Sequence, residues 1–319
     1  MVVGFIGLGN VGQKLANTLV RNKIKCYVHD LHYKNASDLI ERGAIWAKTP
    51  VALTKKCDVI ITCLPSPKIS AEVVEGENGI LSGICSGKTW IEMSTSEASE
   101  VKRLGETLQK YGVHSADCPV SGGCHKAETG NISIFAGCDR PVFDKIKPLL
   151  FLLGHKVIHT GPLGSASILK VATNYLATTH LLACCEALTT LKAAEIDLGT
   201  AYEAIRISSG NSFVHETESQ VILNGSRDIN FTLDLVLKDI CLFQKIASDN
   251  KVPLEISPLL IKIVQDGIRK LGDRANSPSI IRRLEILTGL NILSPGFPEA
   301  IWDNEEEKPG IEVSRPKNL

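Results

Sequence analysis

No excess of charge of either sign runs through this 319-residue chain, in which 35 Lys and Arg balance 35 Asp and Glu. Binding to nucleic acid or to an anionic membrane rests on neutralising phosphates with basic side chains, so neither partner is expected. Metal-like and redox spacings are missing as well. The ten cysteines form no C-x-x-C pair and no Cys/His ligand pattern, and no metal is expected. Some of them, such as Cys26 and Cys63, lie inside apolar runs, where a free thiol acts as a small hydrophobe and a reducing compartment is implied. Long hydrophobic runs are absent too. The most apolar long segment, Tyr175 to Leu191, contains His180 and Glu186 and is too polar for a membrane span. No internal repeat occurs, and the first strand pattern begins at Val2, leaving no room for a signal peptide; a cytoplasmic location is expected.

What is present begins at once. The run Val2-Val3-Gly4-Phe5-Ile6 flows into Gly7-Leu8-Gly9-Asn10-Val11-Gly12 and then into a helical pattern with Leu15, Ala16, Leu19 and Val20. Strand, G-x-G-x-x-G, then helix is the context in which these glycines bind a dinucleotide pyrophosphate. The helix start adds unpaired N–H groups and a partial positive charge. The next strand, Lys25-Cys26-Tyr27-Val28, ends at His29-Asp30, near the spacing of about 20 residues expected of an acid that holds the adenosine ribose hydroxyls. A carboxylate there repels a 2′-phosphate, so Asp30 favours NAD over NADP, although His32 and Lys34 follow closely and soften that repulsion.

The length allows two domains and a substantial core. Short apolar strands alternate with helical patterns as far as His159: Val2–Ile6, Lys25–Val28, Val59–Cys63, Thr89–Met93, Val113–Ala116, Ile132–Ala136 and Val157–His159. That alternation predicts an α/β Rossmann-type domain with a mostly parallel sheet, its ligands at the carboxyl ends of the strands. Past Gly161-Pro162-Leu163-Gly164 only helical periodicity remains. A long, largely apolar helix from Ser165 to about Ile196 leads an all-α domain, followed by helices at about 198–208, 215–223, 233–250, 258–271 and 279–288. The expected division is a dinucleotide domain at 1–162, a helical substrate and dimerisation domain at 163–291, and a tail at 292–319. With Pro295, Pro298, Glu305-Glu306-Glu307 and Pro309, that tail is expected to wrap a neighbour or stay mobile.

A nicotinamide enzyme acting on an alcohol needs a group to take the hydroxyl proton and a means of holding the substrate. The long helix offers Lys170 and Asn174 at i and i+4, on one face of an otherwise apolar stretch. Desolvation favours the neutral amine of such a lysine and makes it a usable acid/base.

With these residues the chain resembles the β-hydroxyacid dehydrogenases, the group that contains 3-hydroxyisobutyrate dehydrogenase and related semialdehyde reductases, with 6-phosphogluconate dehydrogenase a distant member. Four blocks match in order over residues 1 to about 290: Gly7-Leu8-Gly9-Asn10-Val11-Gly12; Asp117-Cys118-Pro119-Val120-Ser121-Gly122-Gly123 with Ala127 and Gly130; Lys170 with Asn174; and Lys238-Asp239. The resemblance implies that Ser121, Gly122 and Gly123 grip the substrate carboxylate, that Lys170 is the general acid/base, and that Asn174 orients the substrate. It implies further that Lys238 lies near nicotinamide and substrate, and that Leu64-Pro65 and Ser94-Thr95 are turns beside the cofactor. Departures are Val11 for the usual Met, Glu92 for the usual Asp, Cys118 for a common Ala, and an unusual His125-Lys126 after the cradle, read either as two exposed loop residues or as extra positive charge that selects a doubly anionic or otherwise polar acid.

The function so implied is reversible, NAD-dependent oxidation of a short 3-hydroxy acid, 3-hydroxyisobutyrate-like, by a homodimer or homotetramer. The alternatives are a glyoxylate, succinic or tartronate semialdehyde reductase, or a catalytically silent NAD-binding scaffold, against which Lys170 itself argues.

Overall fold

The computed structural model describes residues 1–314. The chain divides into two compact units, Met1–Lys170 together with the described residues from Asp303 onward, and Val171–Trp302.

The first unit is built on ten strands: β1 (Val3–Ile6), β2 (Cys26–His29), β3 (Ile45–Trp46), β4 (Val59–Thr62), β5 (Thr89–Glu92), β6 (His114–Asp117), β7 (Val120–Ser121), β8 (Ser133–Gly137), β9 (Lys156–Gly161) and β10 (Ile311–Glu312). Their order is β10-β9-β8-β6-β5-β4-β1-β2-β3, with β7 paired to β8. From β3 to β6 every pair is parallel; β8 then runs antiparallel to β6, while β9 and β10 are parallel to β8. The half-order 3-2-1-4-5-6 is that of a dinucleotide-binding sheet.

Alternation along the strands explains the layering. Val3, Phe5, Val59, Ile61, Ile91 and Ala116 share one core with α1 (Asn10–Arg21), α2 (Ser37–Glu41), α6 (Gly123–Thr129) and α7 (Arg140–Leu153). Ile6, Ile60 and Trp90 point the other way, into a core with α3 (Pro50–Lys56), α4 (Pro67–Glu75) and α5 (Ala98–Gln109). A sheet covered on both faces needs strands apolar at every position, and β1 and β4 are buried throughout. The ten cysteines are free thiols; burial pushes Cys26 up to about 12, which keeps it protonated.

Helix α8 (Ser165–Ala193) leads into the second unit, which is helical: α9 (Leu198–Arg206), α10 (Phe213–Asn224), α11 (Leu233–Asp249), α12 (Ile256–Leu271) and α13 (Arg282–Thr288). Its core gathers Leu181, Cys185, Leu188, Tyr202, Ile222, Val236, Ile240 and Val264. Caps set its boundaries, as where the Ser212 hydroxyl accepts from His215 N–H at 3.0 Å and starts α10 two residues before the expected His215. Among the described residues no helix is long and apolar enough to cross a membrane.

The tail corrects an expectation. Residues 303–313 do not hang loose; they return to the first unit and add β10 alongside β9, with Ile311 N–H donating to His155 O and Val313 N–H to Val157 O, both at 2.7 Å.

Candidate active site

The cofactor-facing end of the first unit is shaped by backbone approach. A Cβ on Gly7 would lie 2.3 Å from Cys63 O, and one on Gly12 2.1 Å from Gly7 O, so neither position admits a side chain. Gly9 differs. It is the N-cap of α1, and a Cβ there would meet no protein atom within 4 Å. Protein packing therefore does not require glycine at this position; a ligand approaching the free N–H groups of Asn10, Val11 and Gly12 would. Asp30 closes the same turn: its Oδ2 accepts Leu8 N–H at 2.8 Å, and its Oδ1 accepts His32 N–H at 2.9 Å and Asn35 Nδ2 at 3.0 Å. These donors leave acceptor capacity on a carboxylate that offers about four lone-pair sites. The residues fit a dinucleotide.

A second contact orders the neighbouring turns. Ser94 Oγ accepts Leu64 N–H at 2.7 Å and donates to Glu92 Oε1, which also accepts Ser94 N–H at 2.9 Å. Leu64-Pro65 and Ser94-Thr95 are thereby held together at the carboxyl ends of β4 and β5. Glu92 is fully buried, and burial raises its pKa, with the Ser94 hydrogen bonds pulling the other way.

The Ser121-Gly122-Gly123 turn leaves β7 and opens α6. Gly122 has φ +128° and Gly123 φ +84°, conformations that favour glycine. Four residues earlier, Asp117 is buried at the end of β6. Its Oδ1 accepts Gly164 N–H at 2.7 Å; its Oδ2 accepts Ser167 N–H at 2.7 Å and Ser167 Oγ at 2.8 Å. The carboxylate thus fastens the start of α8 to the end of β6, four residues before Ser121. Gly137, paired with Asp117 across the sheet, makes room for this: a Cβ there would lie 2.3 Å from Asp117 Oδ1. Lys170 follows one turn after Ser167 and is 8% exposed.

In the helical unit, Asn174 Nδ2 donates to Asp239 Oδ2 at 2.6 Å, and Lys238 Nζ lies 3.0 Å from Asp239 Oδ1. Asp239, 2% exposed, orders both candidate residues of this unit. Asp117 and Asp239 stand within the matched sequence blocks, but nothing in the sequence assigns them a task. Their partners are 50 and 65 residues away in sequence, which no local pattern reveals. Among the described residues no cluster of His, Cys, Asp and Glu is placed to hold a metal.

Comparison with known proteins follows the same two-part division. The family profile for the NAD binding domain of 6-phosphogluconate dehydrogenase matches residues 2–161, and that for the NAD-binding of NADP-dependent 3-hydroxyisobutyrate dehydrogenase matches residues 164–284. The 2-(hydroxymethyl)glutarate dehydrogenase of Eubacterium barkeri is 30% identical over 292 residues, covering 91% of this chain and 97% of that enzyme. The chain belongs to the β-hydroxyacid dehydrogenase family. It is accordingly an NAD(P)-dependent oxidoreductase acting on a CH–OH group. Mitochondrial 3-hydroxyisobutyrate dehydrogenase of Rattus norvegicus is 31% identical over 259 residues, 79% of this β-hydroxyacid dehydrogenase and 77% of the rat enzyme. Among solved structures, 3-hydroxyisobutyrate dehydrogenase from Salmonella typhimurium superposes with a TM-score of 0.81 at 22% identity, covering 89% of this chain and 99% of that one, a likeness of fold.

Proposed function

We propose that this β-hydroxyacid dehydrogenase oxidises a short 3-hydroxy monocarboxylic acid, 3-hydroxyisobutyrate-like, to its semialdehyde, with NAD as the preferred acceptor. The observation that carries the reading is the Asp117 carboxylate, which ties the end of β6, four residues before Ser121, to the residues that open the helix bearing Lys170. An anion grip and a base tied through one buried group suit a reaction in which the carboxylate is held and the hydroxyl deprotonated. Lys170 takes the hydroxyl proton; in reverse it returns it. Ser121 Oγ and the N–H groups of Gly122 and Gly123 hold the carboxylate. Asn174 is assigned the hydroxyl side of the substrate and Lys238 the closing contact, each already oriented by Asp239. The nicotinamide, when bound, supplies the hydride acceptor. Gly7, Gly9, Asn10, Val11 and Gly12 serve the pyrophosphate, Leu64, Pro65 and Thr95 the nicotinamide side, and Asp30 the adenosine ribose, where its charge disfavours a 2′-phosphate.

The proposal of a single carboxylate rests on charge. His125-Lys126 suggests a site for a dianion, and the E. barkeri relative is named for a dicarboxylate. Here burial and then Lys126 lower the His125 pKa, with Asp303 pulling the other way, which favours the neutral imidazole. Lys126 Nζ lies 3.6 Å from Asp303 Oδ1. The extra positive charge is already balanced.

A panel of 2- and 3-hydroxyacids and the matching semialdehydes, assayed with NAD(H) and NADP(H) by cofactor absorbance, tests the reading. The expected result is highest kcat/KM for a 3-hydroxy monocarboxylate with NAD. Preference for a dicarboxylate, or no turnover of any carboxylate, overturns it.

A further inference from the structure

The returning tail meets the first unit beside the carboxylate cradle. Asp303, whose side chain is 4% exposed, accepts hydrogen bonds from Thr129 Oγ1 and from Asn131 Nδ2, the latter at 2.9 Å, and pairs with Lys126. Asn131 holds the following residues too, donating to Glu306 O at 3.1 Å and accepting Lys308 N–H at 3.0 Å. The segment is therefore fixed at its start by side chains and at its end by β10.

Its position relative to the cradle is defined by the two glycines. A Cβ at Gly122 would lie 3.3 Å from Lys126 Cδ, and one at Gly123 2.9 Å from His125 Cε1. The stem of Lys126 lies against Gly122, and its ammonium faces the buried Asp303 carboxylate. Lys126 is 26% exposed on its side chain, so it keeps contact with solvent.

We infer that Asp303 is a specificity-determining positioning residue. It holds Lys126 along Gly122 and cancels its charge, so that the cradle presents one anion site rather than two. This rests on the reading of Ser121–Gly123 as the carboxylate grip. Without the Asp303 charge, Lys126 loses its ion-pair partner beside the cradle, keeps only the weaker attraction of the exposed Glu305, and attracts a second carboxylate. Without the Lys126 charge, Asp303 becomes an uncompensated anion and repels one.

The test is a double-mutant cycle of Asp303→Asn and Lys126→Met in the full chain, reading two quantities. The first is the ratio of kcat/KM for 2-(hydroxymethyl)glutarate to that for 3-hydroxyisobutyrate. Asp303→Asn is expected to raise this ratio roughly tenfold, Lys126→Met to lower it, and the pair together to restore it, with the KM for NAD unchanged throughout. An unchanged ratio, or a rise that persists in the double variant, overturns the inference. The second quantity is the titration of His125 by NMR, which needs no substrate. Asp303→Asn is expected to lower its midpoint and Lys126→Met to raise it, and no movement in either variant overturns the pairing. If the wild-type enzyme turns over neither acid, the functional reading falls and the specificity role with it, while the His125 titration still reports whether the pair exists.

Discussion

The carboxylate of Asp117 and the residue Ser167 are joined twice, through the Ser167 N–H at 2.7 Å and its hydroxyl at 2.8 Å. The bond sets the first turn of α8, and with it Lys170, in fixed register with the β6 end that continues into Ser121-Gly122-Gly123.

Asp117→Asn keeps the shape but turns an amide N–H toward backbone donors. The buried Gly164 and Ser167 N–H groups then compete for one oxygen. Loss of about 1–3 kcal/mol of stability is expected, with kcat falling more than the KM for NAD rises. Chemical denaturation and steady-state kinetics measure the two effects; unchanged kcat in a variant that does lose stability would remove Asp117 from the positioning of Lys170.

Gly9 and Gly12 separate cofactor binding from folding. At Gly12 an added methyl meets Gly7 O at 2.1 Å, whereas at Gly9 it meets no protein. Gly12→Ala is expected to cost roughly 1–3 kcal/mol by overpacking. Gly9→Ala should leave the Tm within experimental scatter and weaken NAD binding by about tenfold or more. Calorimetric titration beside thermal unfolding checks both; equal loss of Tm in the two variants contradicts the pyrophosphate role.

Asp30→Asn retains an oxygen for Leu8 N–H and removes the charge. The ratio of kcat/KM for NAD to that for NADP should fall by roughly tenfold, the equivalent of about 1.4 kcal/mol of lost repulsion. A ratio that stays put assigns cofactor choice elsewhere.

Buried Glu92 gives the stability curve a definite sign. Burial, its largest influence, raises the folded-state pKa above the unfolded one, so the folded protein holds the proton longer. That contribution is present below the unfolded pKa and is lost as pH rises through the folded pKa. Glu92→Gln lacks the titration while keeping an acceptor for Ser94. Thermal unfolding from about pH 4 to pH 8 should show the variant gaining on the wild type as pH rises; a constant difference contradicts this.

Much of the fold is legible in the chain. Strands β1, β2, β4, β5, β6, β8 and β9 stand within a residue or so of where short apolar runs predict them; β1, β4 and β5 are buried at every position and must be apolar along their length, whereas β2, β6, β8 and β9 are only partly buried. The two-residue strands β3, β7 and β10 are not legible, since so short a segment carries no period. For β10 the composition points the other way: Pro309 and three consecutive glutamates read as a solvated tail. Its docking comes from Asn131, Arg140 and Lys147, which hold Asp303 and Glu312 across more than 160 residues of chain. The candidate site divides likewise. The spacing of Lys170 and Asn174 marks one helix face, and the glycine motif marks the cofactor turn. Asp117, Asp239 and Asp303 are ordinary acids in sequence and acquire their tasks only through distant partners.

The central claim is that Lys170 moves the hydroxyl proton. Lys170→Ala, assayed for single turnover with the preferred hydroxyacid and for NAD binding, tests it most directly. The expected result is a rate lowered by about 10²–10⁴ with NAD affinity unchanged. Wild-type turnover in that variant, or a loss explained wholly by weaker NAD binding, contradicts it.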